Sequence, residues 1–198
     1  MSRKSFKALG IAAVVLAMTG AGLVFSLSSE AAINIPNPGD ICTQMAAMEH
    51  TFIPWGASNG PFAPTSGSIT GRVGQPITTS DGRQGFNFSV VDFNTGGDVS
   101  GLGKLSITLD TSRKPAPGSF IENANGVDNT QQINLFINVD INGKKYRSAE
   151  QVTLLSTSVA SFPPPSGTAY SLVTKVTLVD AEGKAAFTLP VGQAATIR

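Results

Sequence analysis

Past Ser66 the chain alternates apolar and polar residues in run after run, and a period of two restricts such segments to strands with one face buried. Gly85 to Phe93 puts Phe86, Phe88 and Val90 on one side, and Lys104 to Asp110 does the same with Leu105, Ile107 and Leu109. Gln132 to Ile141 continues with Ile133, Leu135, Ile137, Val139 and Ile141. Val152 and Leu154, then Leu172, Val176 and Leu178, then Phe187 and Leu189, extend the series. Glycine, proline, asparagine and aspartate separate the runs, and no stretch of helical period intervenes. The class is therefore all-β, and the expected architecture is a single antiparallel β-sandwich over residues 66–198.

Two turns set local pairings. Asn142-Gly143 between extended runs predicts a type I′ hairpin, whose central residues both need positive φ. Its register pairs Ile141 with Lys144, Asp140 with Lys145, Val139 with Tyr146, Asn138 with Arg147 and Phe136 with Ala149, which makes Asp140 and Lys145 cross-strand ion partners. Asp180-Ala181-Glu182-Gly183 predicts a second turn joining the run Leu172 to Val179 with Ala185 to Leu189. Ser161-Phe162-Pro163-Pro164-Pro165-Ser166-Gly167 is a stiff connection, because three consecutive prolines donate nothing to a ladder.

Residues 32–65 read as an irregular lead-in rich in proline and glycine, with Pro36, Pro38, Pro54, Pro61 and Pro64. Within it Asp40 to His50 is patterned like a short helix: Asp40 can cap it, and Cys42, Met45 and Met48 recur at helical spacing. Phe52 and Trp55 would anchor the lead-in over one end of a sheet.

Residues 1–31 have the form of an export signal. Arg3, Lys4 and Lys7 precede an uncharged run from Ala8 to Ser29 that ends in Ser29-Glu30-Ala31, placing a cut after Ala31 or Ala32. The alternative is an uncleaved N-terminal anchor, although Gly10, Thr19, Gly20, Gly22 and Ser26 dilute the run. Ser2-Arg3-Lys4-Ser5-Phe6-Lys7 resembles a twin-arginine signal with Lys4 in place of the second arginine, which favours the general secretory route. The expected location is secreted, periplasmic or at the cell surface, with no membrane contact after cleavage.

The mature chain of 167 residues would carry 11 basic and 12 acidic residues, a balance that offers nucleic acid no electrostatic funnel. Its length suffices for one domain burying roughly 70% of its unfolded surface without disulfide staples. Cys42 is the lone cysteine, so it is either buried as a small hydrophobe or joined to another chain.

Several of these segments resemble parts of a family of exported bacterial β-proteins with no assigned activity. They are Gly101 to Asp110, Tyr146-Arg147-Ser148, and Ser161-Phe162-Pro163-Pro164-Pro165 with Gly167 and Tyr170. The Asp180 to Pro190 hairpin is similar to the closing hairpin of bacterial immunoglobulin-like modules. The resemblance covers Gly101 to Pro190, implies an immunoglobulin-like sandwich, and implies no chemistry.

Tests for catalytic and metal chemistry return little. His50 is the single histidine; it lies beside Glu49, and a helix from Asp40 would bring Cys42 only loosely onto its side. Cys42, Met45, Met48 and His50 are soft ligands of the kind that hold monovalent copper, but methionines at this spacing are usual core contacts. Gly96 to Leu105 is glycine-rich yet has Asp98 and Leu105 where a phosphate loop requires glycine and a hydroxyl. Glu49, Glu122, Glu150 and Glu182 are the acids available to a secreted hydrolase. No cofactor is expected; calcium is the one possible ion, through Asp92 to Asp98 or through Asn123, Asn125, Asp128 and Asn129, although neither stretch has the bidentate glutamate of an EF-hand loop.

The strongest binding candidate is the outward side of the Gln132 to Tyr146 hairpin. With Ile133, Leu135, Ile137 and Val139 inward, Asn134, Phe136, Asn138 and Asp140 point out, joined across the turn by Lys145 and Arg147. An aromatic face ringed by amides and charges suits a sugar ring. The expectation is an exported, non-enzymatic structural or adhesive module of the envelope or matrix, with polysaccharide or envelope components as partners. A carbohydrate-binding module centred on Phe136 and a secreted hydrolase are the alternatives.

Overall fold

The computed structural model describes residues 35–198, so the expected export signal lies outside the described residues. Fourteen strands are present among these residues. Eight of them form a ring: β1 (Ile41–Thr51), β3 (Phe62–Thr78), β4 (Gln84–Val99), β6 (Gly118–Glu122), β7 (Asn129–Leu135), β10 (Val152–Val159), β11 (Ala169–Leu172) and β14 (Gly192–Ile197). The remaining six are β2 (Ile53–Pro54), β5 (Gly103–Leu109), β8 (Ile137–Ile141), β9 (Lys144–Ser148), β12 (Val176–Val179) and β13 (Ala185–Leu189).

The architecture is a closed antiparallel barrel, not the expected sandwich. Strand order around the ring is β4-β3-β1-β14-β11-β10-β7-β6, and β6 returns to β4 with Gly85 opposite Ile121 and Phe88 opposite Gly118. That pairing joins the two ends of the sheet and leaves no second layer to stack. The barrel also starts earlier than Ser66. Asp40 to His50, expected as a helix, is most of β1, which pairs with β3 from Ile41 opposite Arg72 to Thr51 opposite Phe62. Methionines three apart fall on opposite sides of a strand: Met45 is 57% exposed and Met48 only 3%.

The β4 strand serves two sheets. Its first half pairs with β6, and its second half, from Asn94 to Val99, pairs with β5. From β5 a six-stranded flap continues in the order β5-β8-β9-β12-β13-β2. Its last strand, β2, follows β1 in the chain through the fully buried Phe52, so the flap arches from one barrel strand to another. The run Gln132 to Ile141 is accordingly split at Phe136, with β7 in the barrel and β8 in the flap. Leu172 and Val176, expected on one strand, are separated in the same way between β11 and β12. The Asn142-Gly143 hairpin has the expected register from Asn138–Arg147 to Ile141–Lys144, with φ of 52° and 82° at its centre, but Phe136 and Ala149 do not pair: Phe136 O accepts from Asp110 N, and Ala149 N donates to Thr177 O. The Asp180 turn likewise closes through Gly183 at φ 81° and joins β12 to β13.

One apolar core runs through barrel and flap, including Phe93, Leu154 and Leu172 from the first and Ile107, Val139 and Leu178 from the second. At one part of the barrel Phe86 and Phe120 stack at 5.1 Å, and Phe162 meets both edge-on at 5.0 and 5.5 Å. Phe162 belongs to the proline-rich connection, so that stiff segment acts as a plug, tied to β1 by Gln44 Nε2 donating to Pro164 O. Outward positions of the barrel strands mix polar residues such as Thr43, Thr70 and Asn94 with the exposed apolar Ile41, Met45 and Phe62.

A single missing side chain makes room for this packing. A Cβ at Gly71 would sit 1.8 Å from the ring of Phe88, itself buried beside Phe162. Gly71→Ala should therefore destabilise the fold by about 1–3 kcal/mol in urea unfolding, the usual penalty of overpacking. Gly97→Ala, where the nearest atom is 3.5 Å away, should stay within about 1 kcal/mol of wild type.

Candidate functional site

The expected platform around Phe136 is divided by the bend between β7 and β8. Asn134, expected to face solvent, is 3% exposed. Its Nδ2 donates to Pro117 O at 3.0 Å, and its Oδ1 accepts from Thr153 Oγ1 at 2.9 Å and Gln132 Nε2 at 3.2 Å. Phe136 is covered by the Arg113 guanidinium, 4.1 Å from the ring centroid, so its face is not open to a sugar. The connection between β5 and β6, residues 110–117, folds over both residues.

Asp110 organises that connection. It is 4% exposed; its Oδ1 accepts from Ser112 N at 3.1 Å and Ser112 Oγ at 2.6 Å, and its Oδ2 accepts from Arg113 Nε at 2.8 Å. Burial pushes its carboxyl up, but the hydrogen bonds from Ser112 and Arg113 outweigh it and leave Asp110 below the ordinary carboxylate range. Arg113 then reaches Ser148 O at 2.6 Å, Ala116 N donates to Gln151 Oε1 at 2.8 Å, and Asp110 N donates to Phe136 O at 2.8 Å. Sequence reading missed this network. The available signal was Asp110 two residues before Ser112 at the end of a strand, the pattern of an aspartate-capped turn.

The other four expected residues, Asn138, Asp140, Lys145 and Arg147, do share one surface on the outer side of the flap. Two adjoining hollows lie there. One of about 470 Å³ is lined by Ser106, Thr108, Asn138, Asp140 and Lys145, and one of about 320 Å³ by Asn138, Lys145, Arg147 and Asp180. The side-chain hydrogen bonds around this face belong to its turn. Asn142 Oδ1 accepts from Lys104 N at 2.8 Å, Asn142 Nδ2 donates to Leu102 O at 2.6 Å, and Asp140 Oδ1 accepts from Gly143 N at 2.7 Å. Asp140 thus caps the hairpin and does not form the expected ion pair with Lys145; among the described residues the ion pairs are Arg83–Asp81 and Arg113–Asp110.

The metal and nucleophile candidates are dispersed. Cys42 and His50 lie eight residues apart on β1, roughly 27 Å along an extended strand, so they form no pair. Met45 faces away from Cys42, Met48 and His50, which breaks up the soft-ligand set. Asp92 to Asp98, expected as an oxygen-donor loop, lies inside β4. In the other stretch the oxygens serve the turn: Val127 N donates to Asn125 Oδ1 at 3.1 Å and Thr130 Oγ1 donates to Asn123 Oδ1 at 2.6 Å. Of the acids, Glu49 is on β1, Glu122 on β6 and Glu182 in the β12–β13 turn, while Glu150 accepts from Thr177 N at 2.8 Å. His50 lines a core cavity of about 10 Å³ among Met48, Phe93, Leu135 and Leu189, room for one water at most. Burial lowers its pKa to about 4.

These features define a class: a closed eight-stranded antiparallel barrel with a sheet extension, in which the described residues pack apolar side chains inside and the hollows described above lie outside. The solved structure of DynF, from the dynemicin biosynthesis pathway of Micromonospora chersina, shares the fold, with a TM-score of 0.68 over 82% of this chain and 81% of that one. The two are 17% identical, a likeness of fold alone. No family model matches the chain, and no curated protein matches it in sequence.

Two stability experiments follow from this geometry. Removing Arg113 strands a buried carboxylate, so Arg113→Met should cost about 3 kcal/mol, whereas Arg83→Met, which breaks an exposed pair, should have a much smaller effect. The neutral form of His50 is favoured in the fold, so its contribution is full above pH 6.5 and is lost as pH falls towards 4. The loss amounts to about 3 kcal/mol. Urea unfolding at pH 7 and pH 4 should show this drop, and His50→Leu should remove that part of it.

Proposed function

We propose that the protein is an exported, non-enzymatic adhesive module that attaches to polysaccharide of the cell envelope or surrounding matrix through the outer face of the flap. The observation that carries this reading is the pair of adjoining hollows meeting at Asn138 and Lys145, rimmed by hydroxyl, amide and cationic side chains that make no side-chain hydrogen bond or ion pair among the described residues. Strand register aligns Ser68, Asn94, Thr108, Asn138 and Arg147 in one row across five neighbouring strands. Neighbouring strands are about 4.8 Å apart, so the row offers a polar side chain at a spacing close to one sugar ring. Recognition here is by hydrogen bonds rather than stacking, since Phe136 is covered. The basic residues ahead of the apolar run Ala8 to Ser29 support export, and the scattering of Glu49, Glu122, Glu150 and Glu182 over separate elements supports a non-catalytic role.

Retention of the protein without residues 1–31 on a panel of insoluble polysaccharides tests the reading. Asn138→Ala combined with Arg147→Glu should weaken retention at least tenfold with an unchanged melting temperature. Phe136→Ala should lower the melting temperature and leave retention on the surviving folded protein intact. A chelator should have no effect. Equal retention of the Asn138/Arg147 variant and wild type on every polymer that binds would refute the assignment.

A further inference from the structure

The wall of the barrel has a breach, and its chemistry differs from that of the flap face. Going along β4, the edge partner changes from β6, last paired at Phe88, to β5, first paired at Asn94. Between them Ser89–Phe93 have no strand on that edge among the described residues. A β-bulge lies at the same place: Thr70 pairs with Asp92 and Gly71 with Val90, leaving Val91 unpaired. The bulge changes the inward set from Phe86 and Phe88 to Phe93 and Thr95, and it leaves Val91 38% exposed. Bulges of this kind commonly re-aim side chains beside binding sites.

Over this breach lies a crevice of about 430 Å³, between β4 and the 110–117 connection. Its walls are largely apolar, from Val90, Val91, Leu109, Pro115 and Pro117. Its volume and lining fall in the range of small-molecule sites, apolar with a few placed polar groups. The connection that forms one wall is held by the Asp110, Arg113, Gln151 and Asn134 hydrogen bonds described above, so the crevice is preorganised and needs little ordering on binding.

Its charge is not balanced. Asp110 is its one carboxylate, and Arg113 already satisfies it at 2.8 Å. Lys114 is left, exposed and without an ion partner among the described residues, as the uncompensated charge of the lining. We propose that this crevice binds a small organic anion with an apolar body, the body against Val90, Val91, Leu109 and the two prolines and the anionic head on the Lys114 ammonium. The unpaired backbone edge at Ser89–Phe93 supplies further polar groups to the same molecule. This site is separate from the flap face and does not depend on a polysaccharide being bound there.

Fluorescence titration of the protein without residues 1–31 with 8-anilinonaphthalene-1-sulfonate, and with its uncharged relative N-phenyl-1-naphthylamine, tests the proposal. Saturable binding of the anion is expected. Lys114→Gln should weaken the anion at least fivefold and leave the uncharged probe unchanged, and Val91→Glu should weaken both. Lys145→Glu, on the flap face, should alter neither. Displacement by 1-naphthoate and by 1-naphthyl phosphate then tells a carboxylate head from a phosphate. Should Val91→Glu fail to fold, amide shifts of the ¹⁵N-labelled protein on adding the anion replace it, and they should centre on residues 89–93 and 110–117. Anion binding indifferent to Lys114→Gln, shifts centred elsewhere, or no saturable binding would overturn the proposal.

Discussion

Everything in this structure depends on how the β4 edge is shared. A closed barrel requires that the last strand find the first, and here that contact is four residue pairs between β4 and β6. Had β6 extended along all of β4, the ring would be complete and β5 would have no place. Because β6 is five residues long and β4 is sixteen, an edge remains, and an open edge is a liability unless another strand covers it. The flap covers it. The bulge at Val91 sits at the hand-over, flipping the inward set by one residue so that both halves of β4 present apolar side chains to one core.

The flap in turn solves the problem it creates. Six added strands carry Ile107, Ile137, Val139 and Leu178, all of which need covering, and they pack with the side chains of Met48, Phe93 and Leu154. Among the described residues the interior is therefore packed with side chains, with the 10 Å³ space beside His50 as a small packing defect. The opposite arrangement, an empty barrel holding a ligand, needs smaller or fewer inward residues than Phe86, Phe88, Phe120 and Phe162. The larger hollows lie outside, on the polar flap face and in the crevice at the hand-over.

Local elements were legible where a few adjacent residues settle them. Asn142-Gly143 specified its turn and register because positive φ at both positions is tolerated by few residues. Even there, tertiary structure added a role: the Asn142 side chain also ties the β4–β5 turn, through Lys104 N and Leu102 O, which no hairpin rule anticipates. Asp40 to His50 misled because the apolar run Met45 to Met48 satisfies helical and extended periods alike, and the pairing with β3 decided between them. Phe136 misled for the reason that alternation continues unbroken through the bend, so the pattern carries no mark of a strand leaving one sheet for another. Its cover, Arg113, lies 23 positions earlier in the chain and reaches it through a carboxylate the pattern did not mark.

By itself, then, the order of residues determined that the chain is sheet, which side of most strands is apolar, and where the tight turns fall, because these follow from contacts between near neighbours. Whether the sheet closes, which partner takes each half of β4, and which outward residues stay outside were decided only in three dimensions. Barrel and sandwich share the same period of two; what separates them is one pairing between strands some thirty residues apart. The favourable energy of that pairing exists only once the intervening chain has been brought round, and nothing in a local pattern records it.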